Sequence, residues 1–167
     1  MLLALLTPLL LASDEGEALI SNGTFDHTDG ALTGWVTDYE WTGNSYYVAN
    51  KERVEVIGEE DGRSQVVKIT PAGDAGAKME CFPIVFEPGY RYTCTLDAKG
   101  GPYRVYFAGY KWKPGIRPHD NPELGELRMI YKSKAATGKE RAKLDLSLPG
   151  VELSSLAKKH LKHVRFI

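Results

Sequence analysis

Hydrophobic and polar positions alternate most regularly between Arg91 and Lys99. Tyr92, Cys94, Leu96 and Ala98 fall on one side, and Arg91, Thr93, Thr95, Asp97 and Lys99 on the other. A period of two predicts a half-buried strand. Pro88-Gly89 just before it predicts a turn, and the nearly continuous apolar run Ala77–Phe86 predicts a buried strand leading into that turn. Shorter patterned runs at Glu52–Ile57, Gln65–Thr70, Tyr103–Tyr110, Leu127–Lys132 and Leu144–Leu148 predict further strands. His163–Ile167 begins one more, and Ser154–Leu161 fits one short helix with a serine cap. Gly-rich turns separate these runs, so an all-β antiparallel domain is expected.

The second face of the 103–112 run carries Arg104, Tyr106, Ala108, Tyr110 and Trp112. Three aromatics and a cation around a small residue make a candidate ligand platform. It leads into a loop stiffened by Pro114, Pro118 and Pro122, with Arg117, His119 and Asp120 as hydroxyl-binding groups. Val36–Asn50 mixes Tyr39, Trp41, Tyr46 and Tyr47 with Asp38, Glu40, Asn44 and Asn50. If that segment is extended, Tyr39 and Trp41 share a face. Rings beside carboxylates and amides suit a sugar, because the ring stacks on the pyranose C–H face and the polar groups take its hydroxyls. For any single one of these rings, packing in the core is the more common role.

Composition narrows the class. The chain has 167 residues, 17 of them glycine, and a formal net charge of −1. One domain is expected, and a nucleic-acid partner is not, since that needs a basic stripe. The apolar run Leu2–Ala12 is shorter than the roughly 20 residues of a membrane span. It is followed by Ser-Asp-Glu-Gly-Glu and reads as the core of a secretory signal peptide covering residues 1–18, cleaved after Ala12 or Ala18. The alternative is a buried N-terminal segment. The expected setting is secreted, periplasmic or cell-surface, with residues 19–167 as the folded domain. Cys81 and Cys94 either form a disulfide or stay as buried thiols. Asn22-Gly23-Thr24 is an N-glycosylation sequon, relevant where the host modifies such sites.

Two segments carry a family resemblance. Leu19-Ile20-Ser21-Asn22-Gly23-Thr24-Phe25-Asp26, a Gly-rich loop and Gly34-Trp35 resemble the opening of carbohydrate-binding modules with the galactose-binding-like jelly-roll fold. Glu87–Lys99 is similar to their central strand. The resemblance implies an antiparallel two-sheet sandwich of about eight strands, with Trp35 in the core. It also implies a structural calcium, as in many members, with Asp26 at the first-strand acidic position. The function expected is non-catalytic binding of polysaccharide or glycan. Tyr39, Trp41, Tyr106, Tyr110 and Trp112 would stack, and Arg104, Arg117, His119 and Asp120 would hydrogen-bond. The alternative is an accessory or adhesion sandwich that contacts neighbouring domains of a longer protein. An enzyme is not expected, because no nucleophile elbow or paired-carboxylate constellation is recognisable.

Overall fold

The computed structural model describes the backbone of residues 4–12, 18–87, 92–138, 142–148, 160 and 162–167, and the side chains of these except 4–12, 93, 133–138 and 142–148. Strands dominate. They are β1 (Ala4–Ala12), β2 (Trp35–Val36), β3 (Val54–Ile57), β4 (Val66–Ile69), β5 (Glu80–Cys81), β6 (Tyr92–Lys99), β7 (Tyr103–Trp112), β8 (Leu127–Gly138) and β9 (Ala142–Leu148). One five-stranded sheet runs β3-β4-β1-β6-β9, and β2-β5 and β7-β8 form two-stranded sheets. All these pairings are antiparallel.

The 92–99 alternation takes the form expected of it. Tyr92, Cys94, Leu96 and Ala98 are all buried in the main core. On the other face Asp97 pairs with Arg63, and the Lys99 ammonium lies 3.3 Å from Glu60 and 2.8 Å from Asp61. The Glu59–Asp61 turn is therefore tied to β6 by charge.

The partners of β6 differ from the expected ones. A hairpin through Pro88-Gly89 would pair it with the 77–86 run. Instead β6 lies between β1 and β9, with Cys94 opposite Leu11 on one side and Leu146 on the other. The turn itself falls outside the described residues, as does most of the segment expected to be helical. Residues 77–86 do not form one strand. Lys78 and Glu80 interrupt the run on one face. Ala77 and Met79 pack into the cluster around Phe25 and Val67, and Cys81 packs against the β6 cluster. The chain then pairs with its own end: Ile84 and Ile167 exchange two backbone hydrogen bonds of 2.8 Å.

The Leu2–Ala12 run, expected to be a removable leader, contains β1. It pairs with β4 from Ala4↔Ile69 to Leu6↔Val67 and with β6 from Leu5↔Lys99 to Ala12↔Thr93, with an irregularity between Thr7 and Leu10 where Pro8 sits. A proline cannot donate to a ladder, which accounts for a break there.

The Asn22–Trp35 loop is a closed unit. The Asn22 amide donates to the carbonyls of Ala31 (2.9 Å) and Thr33 (2.8 Å), and its backbone oxygen accepts the Trp35 indole N–H at 2.8 Å. Phe25 and Trp35 touch, with ring centroids 5.3 Å apart. The residues of the opening motif thus serve packing, and Asn22 is buried. No disulfide joins Cys81 to Cys94, and burial pushes the Cys81 thiol up to about 12.

Candidate functional site

The platform expected on β7 is split in two. Its alternation is unbroken, because both register irregularities of the β7–β8 pair place the extra residue in β8: Val105↔Ala136 is followed by Tyr106↔Lys134, and Gly109↔Tyr131 by Tyr110↔Met129. Arg104, Tyr106, Ala108, Tyr110 and Trp112 therefore do share a face. The far half of that face is covered, however. Ala108, Tyr110 and Trp112 pack with Val36, Leu124, Leu127 and Phe166 in a second core. Only Arg104 and Tyr106 remain exposed, with Tyr106 at 36%.

The covering element is the C-terminal segment. Tyr110 donates its backbone N–H to Phe166 O at 2.8 Å and accepts from Arg165 N at 2.8 Å, while Phe86 N donates to Arg165 O at 2.8 Å. Residues 165–167 thus run between Tyr110 and the 84–86 segment. Gly109 permits this approach, since a Cβ there would fall 2.7 Å from Val164 Cγ2.

Two expected stacking residues are consequently interior. Tyr110 is 8% exposed and Tyr39 is 1% exposed, so neither offers a ring face to a ligand. Trp112 is half-buried, edge-on to Phe166 at 5.4 Å and tilted against His119 at 4.9 Å. The 36–50 segment is not extended either. It folds into single 3-10 turns at Glu40–Thr42, Ser45–Tyr47 and Asn50–Arg53, which turn Tyr39 inward and Trp41 outward, at 54% exposure. The Trp41 indole donates to Asp38 O at 3.2 Å. Asp38 in turn accepts from the Glu40 amide and lies 3.1 Å from Lys51, and these contacts hold its carboxyl below the usual range.

Around this loop lies a tyrosine cluster. Tyr39 and Tyr47 meet at 5.7 Å, and Tyr46 stands edge-on to Tyr47 at 5.1 Å. Tyr46, 49% exposed, lies over Gly76, where a Cβ would collide with its ring. The sequence of rings runs from interior to solvent. At its centre Glu80 accepts from the Tyr110 hydroxyl at 3.3 Å and from Lys78 Nζ at 3.2 Å. Lys78 Nζ also sits 3.9 Å from the Tyr39 centroid and 4.8 Å from that of Tyr47, within cation–π range. Burial, then the Glu80 charge, keep Tyr39 and Tyr110 far above the ordinary phenol range, so both hydroxyls remain donors. Burial, with Tyr46, Glu80 and Tyr106 nearby, also raises Tyr47.

Lys78 and Glu80 escaped the sequence reading, whereas Tyr47 and Asn50 figured in it only as members of the mixed 36–50 segment. The signal for the first two was present: Ala77, Met79 and Cys81 alternate with Lys78 and Glu80, a period of two hidden by reading the run as uniformly apolar. Asn50 gave no such signal. Its buried amide donates to Thr37 O and to Lys78 O at 2.8 Å, and its oxygen accepts from Lys78 N at 2.9 Å. It fixes the backbone that carries Lys78. Asn50→Ala leaves these buried groups without partners and is expected to cost roughly 2–5 kcal/mol, read as a lower urea midpoint with unchanged m-value. Asn50→Asp sets a second acceptor oxygen against the Thr37 and Lys78 carbonyls in a buried site and should cost at least as much.

The Pro-rich loop stands apart. Arg117 and Asp120 are exposed. His119 is 3.0 Å from Glu126, and this contact, with the Glu123 amide, holds the Glu126 carboxyl below its usual range. Lys113 Nζ lies 5.9 Å from the Trp41 ring, which brings the loop's start toward the 39–42 turn. Asp26 is exposed and accepts the Thr24 hydroxyl at 2.5 Å. Calcium takes 6–8 oxygens, and no group of three or more His, Cys, Asp or Glu among the described residues is arranged to hold a metal ion. Among the described residues no helix is long and apolar enough to cross a membrane.

No family model matches the chain, no curated protein matches it, and no solved structure matches it.

Proposed function

We propose that this chain is a non-catalytic carbohydrate-binding module with a two-sheet, jelly-roll-like sandwich. The sandwich reading is supported by the main core, which joins the inner face of β6 to Phe107 and Tyr131 of the β7–β8 ribbon. The binding reading rests on one observation: the surface exposes three rings, Trp41, Tyr46 and Tyr106, and Tyr46 stands at the edge of a tyrosine cluster built on the Lys78–Glu80 pair. Exposed rings beside an anchored cation and carboxylate supply both contacts that a sugar needs. A shallow surface of this kind gives weak affinity, on the order of micromolar to millimolar. The extracellular setting rests on Leu2–Ala12, with a condition: that run contains β1, so an exported chain that retains β1 keeps the run uncleaved.

The test is affinity electrophoresis of the full chain in gels cast with different polysaccharides. Retardation by at least one polymer is expected, with Trp41→Ala, Tyr46→Ala and Tyr106→Ala each weakening it up to about tenfold, the size of one well-placed aromatic contact. Their melting temperatures should stay near that of the parent, since the rings are exposed. Free migration in every gel would sink the reading. It would favour an accessory domain docking on a neighbour, a role suited to the exposed apolar Phe82 and Val85 beside the C-terminal segment.

A further inference from the structure

We infer that the ligand of the Tyr106 face is an acidic glycan, one whose sugars carry carboxylate or sulfate. This rests on the carbohydrate reading above and sharpens it. The unbroken alternation of β7 puts Arg104 beside Tyr106, about 7 Å along the strand. Across the ribbon, Lys132 of β8 stands opposite Ala108, one diagonal step from Tyr106, and its ammonium lies 3.9 Å from the Tyr106 ring centroid. The small side chain of Ala108 leaves the room for this. Position 134, also lysine, is directly opposite Tyr106.

Several surface cations are matched: Lys51 with Asp38 at 3.1 Å, Lys68 with Glu55 at 2.6 Å, Lys99 with Asp61 at 2.8 Å, and Arg63 with Asp97. Others, such as Lys111, Arg117 and Arg128, are exposed without an ion pair among the described residues, and Arg104 and Lys132 are set apart by flanking one exposed ring on one strand face. Among the described residues, neither Arg104 nor Lys132 has a carboxylate partner. Glu80, the acid of the neighbouring cluster, is already matched by Lys78 at 3.2 Å. A chain of net charge −1 therefore keeps unmatched positive charge beside an exposed ring. The hydroxyls of a neutral sugar on that ring would accept from the two cations but leave their charge unmatched. A carboxylate or sulfate at the sugar's edge would accept charge-assisted hydrogen bonds, bidentate from the Arg104 fork, with Lys132 already held by the ring. The patch is too local for the broad basic stripe that a polynucleotide needs.

The experiment uses the full chain and matched polymer pairs differing only in charge. Polygalacturonate is set against its fully methyl-esterified form, and dextran sulfate against dextran. DNA is included as a polyanion without stackable pyranose. Binding to an acidic member with little to its neutral mate is expected. Arg104→Gln and Lys132→Gln should each weaken it about three- to tenfold, the range of a surface charge pair, and more salt should weaken it further. Tyr106→Ala should weaken it by a comparable factor. The pair that responds tells carboxylate from sulfate. Equal binding of acidic and neutral mates, untouched by the charge variants, would overturn this inference and leave the carbohydrate reading standing. Equal binding of DNA, insensitive to Tyr106→Ala, would mark simple ion exchange and overturn both. Binding to no polymer would overturn the carbohydrate reading itself.

Discussion

Deleting residues 1–12 is expected to abolish the cooperative unfolding transition of the chain. β1 stands between β4 and β6, so its loss strips partners from both. β4 carries Val66, Val67 and Ile69 and β6 carries Tyr92, Cys94, Leu96 and Ala98, all buried. A small domain is held by roughly 5–15 kcal/mol, and each lost backbone bond costs about 1 kcal/mol before exposed apolar surface is counted. Removing a central strand exceeds that margin. A urea melt followed by near-ultraviolet circular dichroism would read it, beside an intact-mass measurement of the parent. A deletion variant that melts with the parent would mean that β4 and β6 meet differently and that the run is a leader which leaves the fold.

Removing Val164–Ile167 is expected to have the next largest effect, a loss on the order of 5 kcal/mol together with loss of ligand retention. Val164, Phe166 and Ile167 are all buried. Each such side chain contributes roughly 1.5–3 kcal/mol. The segment also carries the backbone bonds to Ile84, Phe86 and Tyr110. Without it Tyr110 is uncovered, and its hydroxyl no longer has a fixed approach to Glu80. Phe166→Ala separates the effects. It empties the second core at a cost of about 3–5 kcal/mol but keeps the backbone bonds. Melting temperature and gel retardation measured on both variants would check this, and a truncated chain as stable as the parent would contradict it.

Much of the strand content was legible because local pattern determines it. β3, β4 and β6 fall within runs whose alternation or β-branched content is plain, and β7 and β9 each extend two residues past theirs. Pairing was less legible, since it depends on distant segments. Nothing within Leu2–Ala12 distinguishes a leader from a central strand, as both are continuous apolar runs. The candidate site was half legible for the same reason. The alternation put Tyr106 and Tyr110 on one face, and it could not say that Phe166 would cover one and leave the other open. Tyr39 and Trp41 were placed together by assuming extended backbone, whereas 3-10 turns send them opposite ways. Asn50 and Lys78 meet across 28 residues of chain, beyond any local pattern.

The closed loop at Asn22 has a consequence for how the chain is made. The amide nitrogen that would accept a glycan is the atom that donates to Ala31 and Thr33 inside the loop. Once folded, the sequon offers nothing to a transferase, so attachment has to precede closure. A sugar added first would occupy the space of those two carbonyls and hold the loop open. In a host with that machinery, the fraction of chains modified at Asn22 becomes a clock, recording how often the enzyme arrives before the loop shuts.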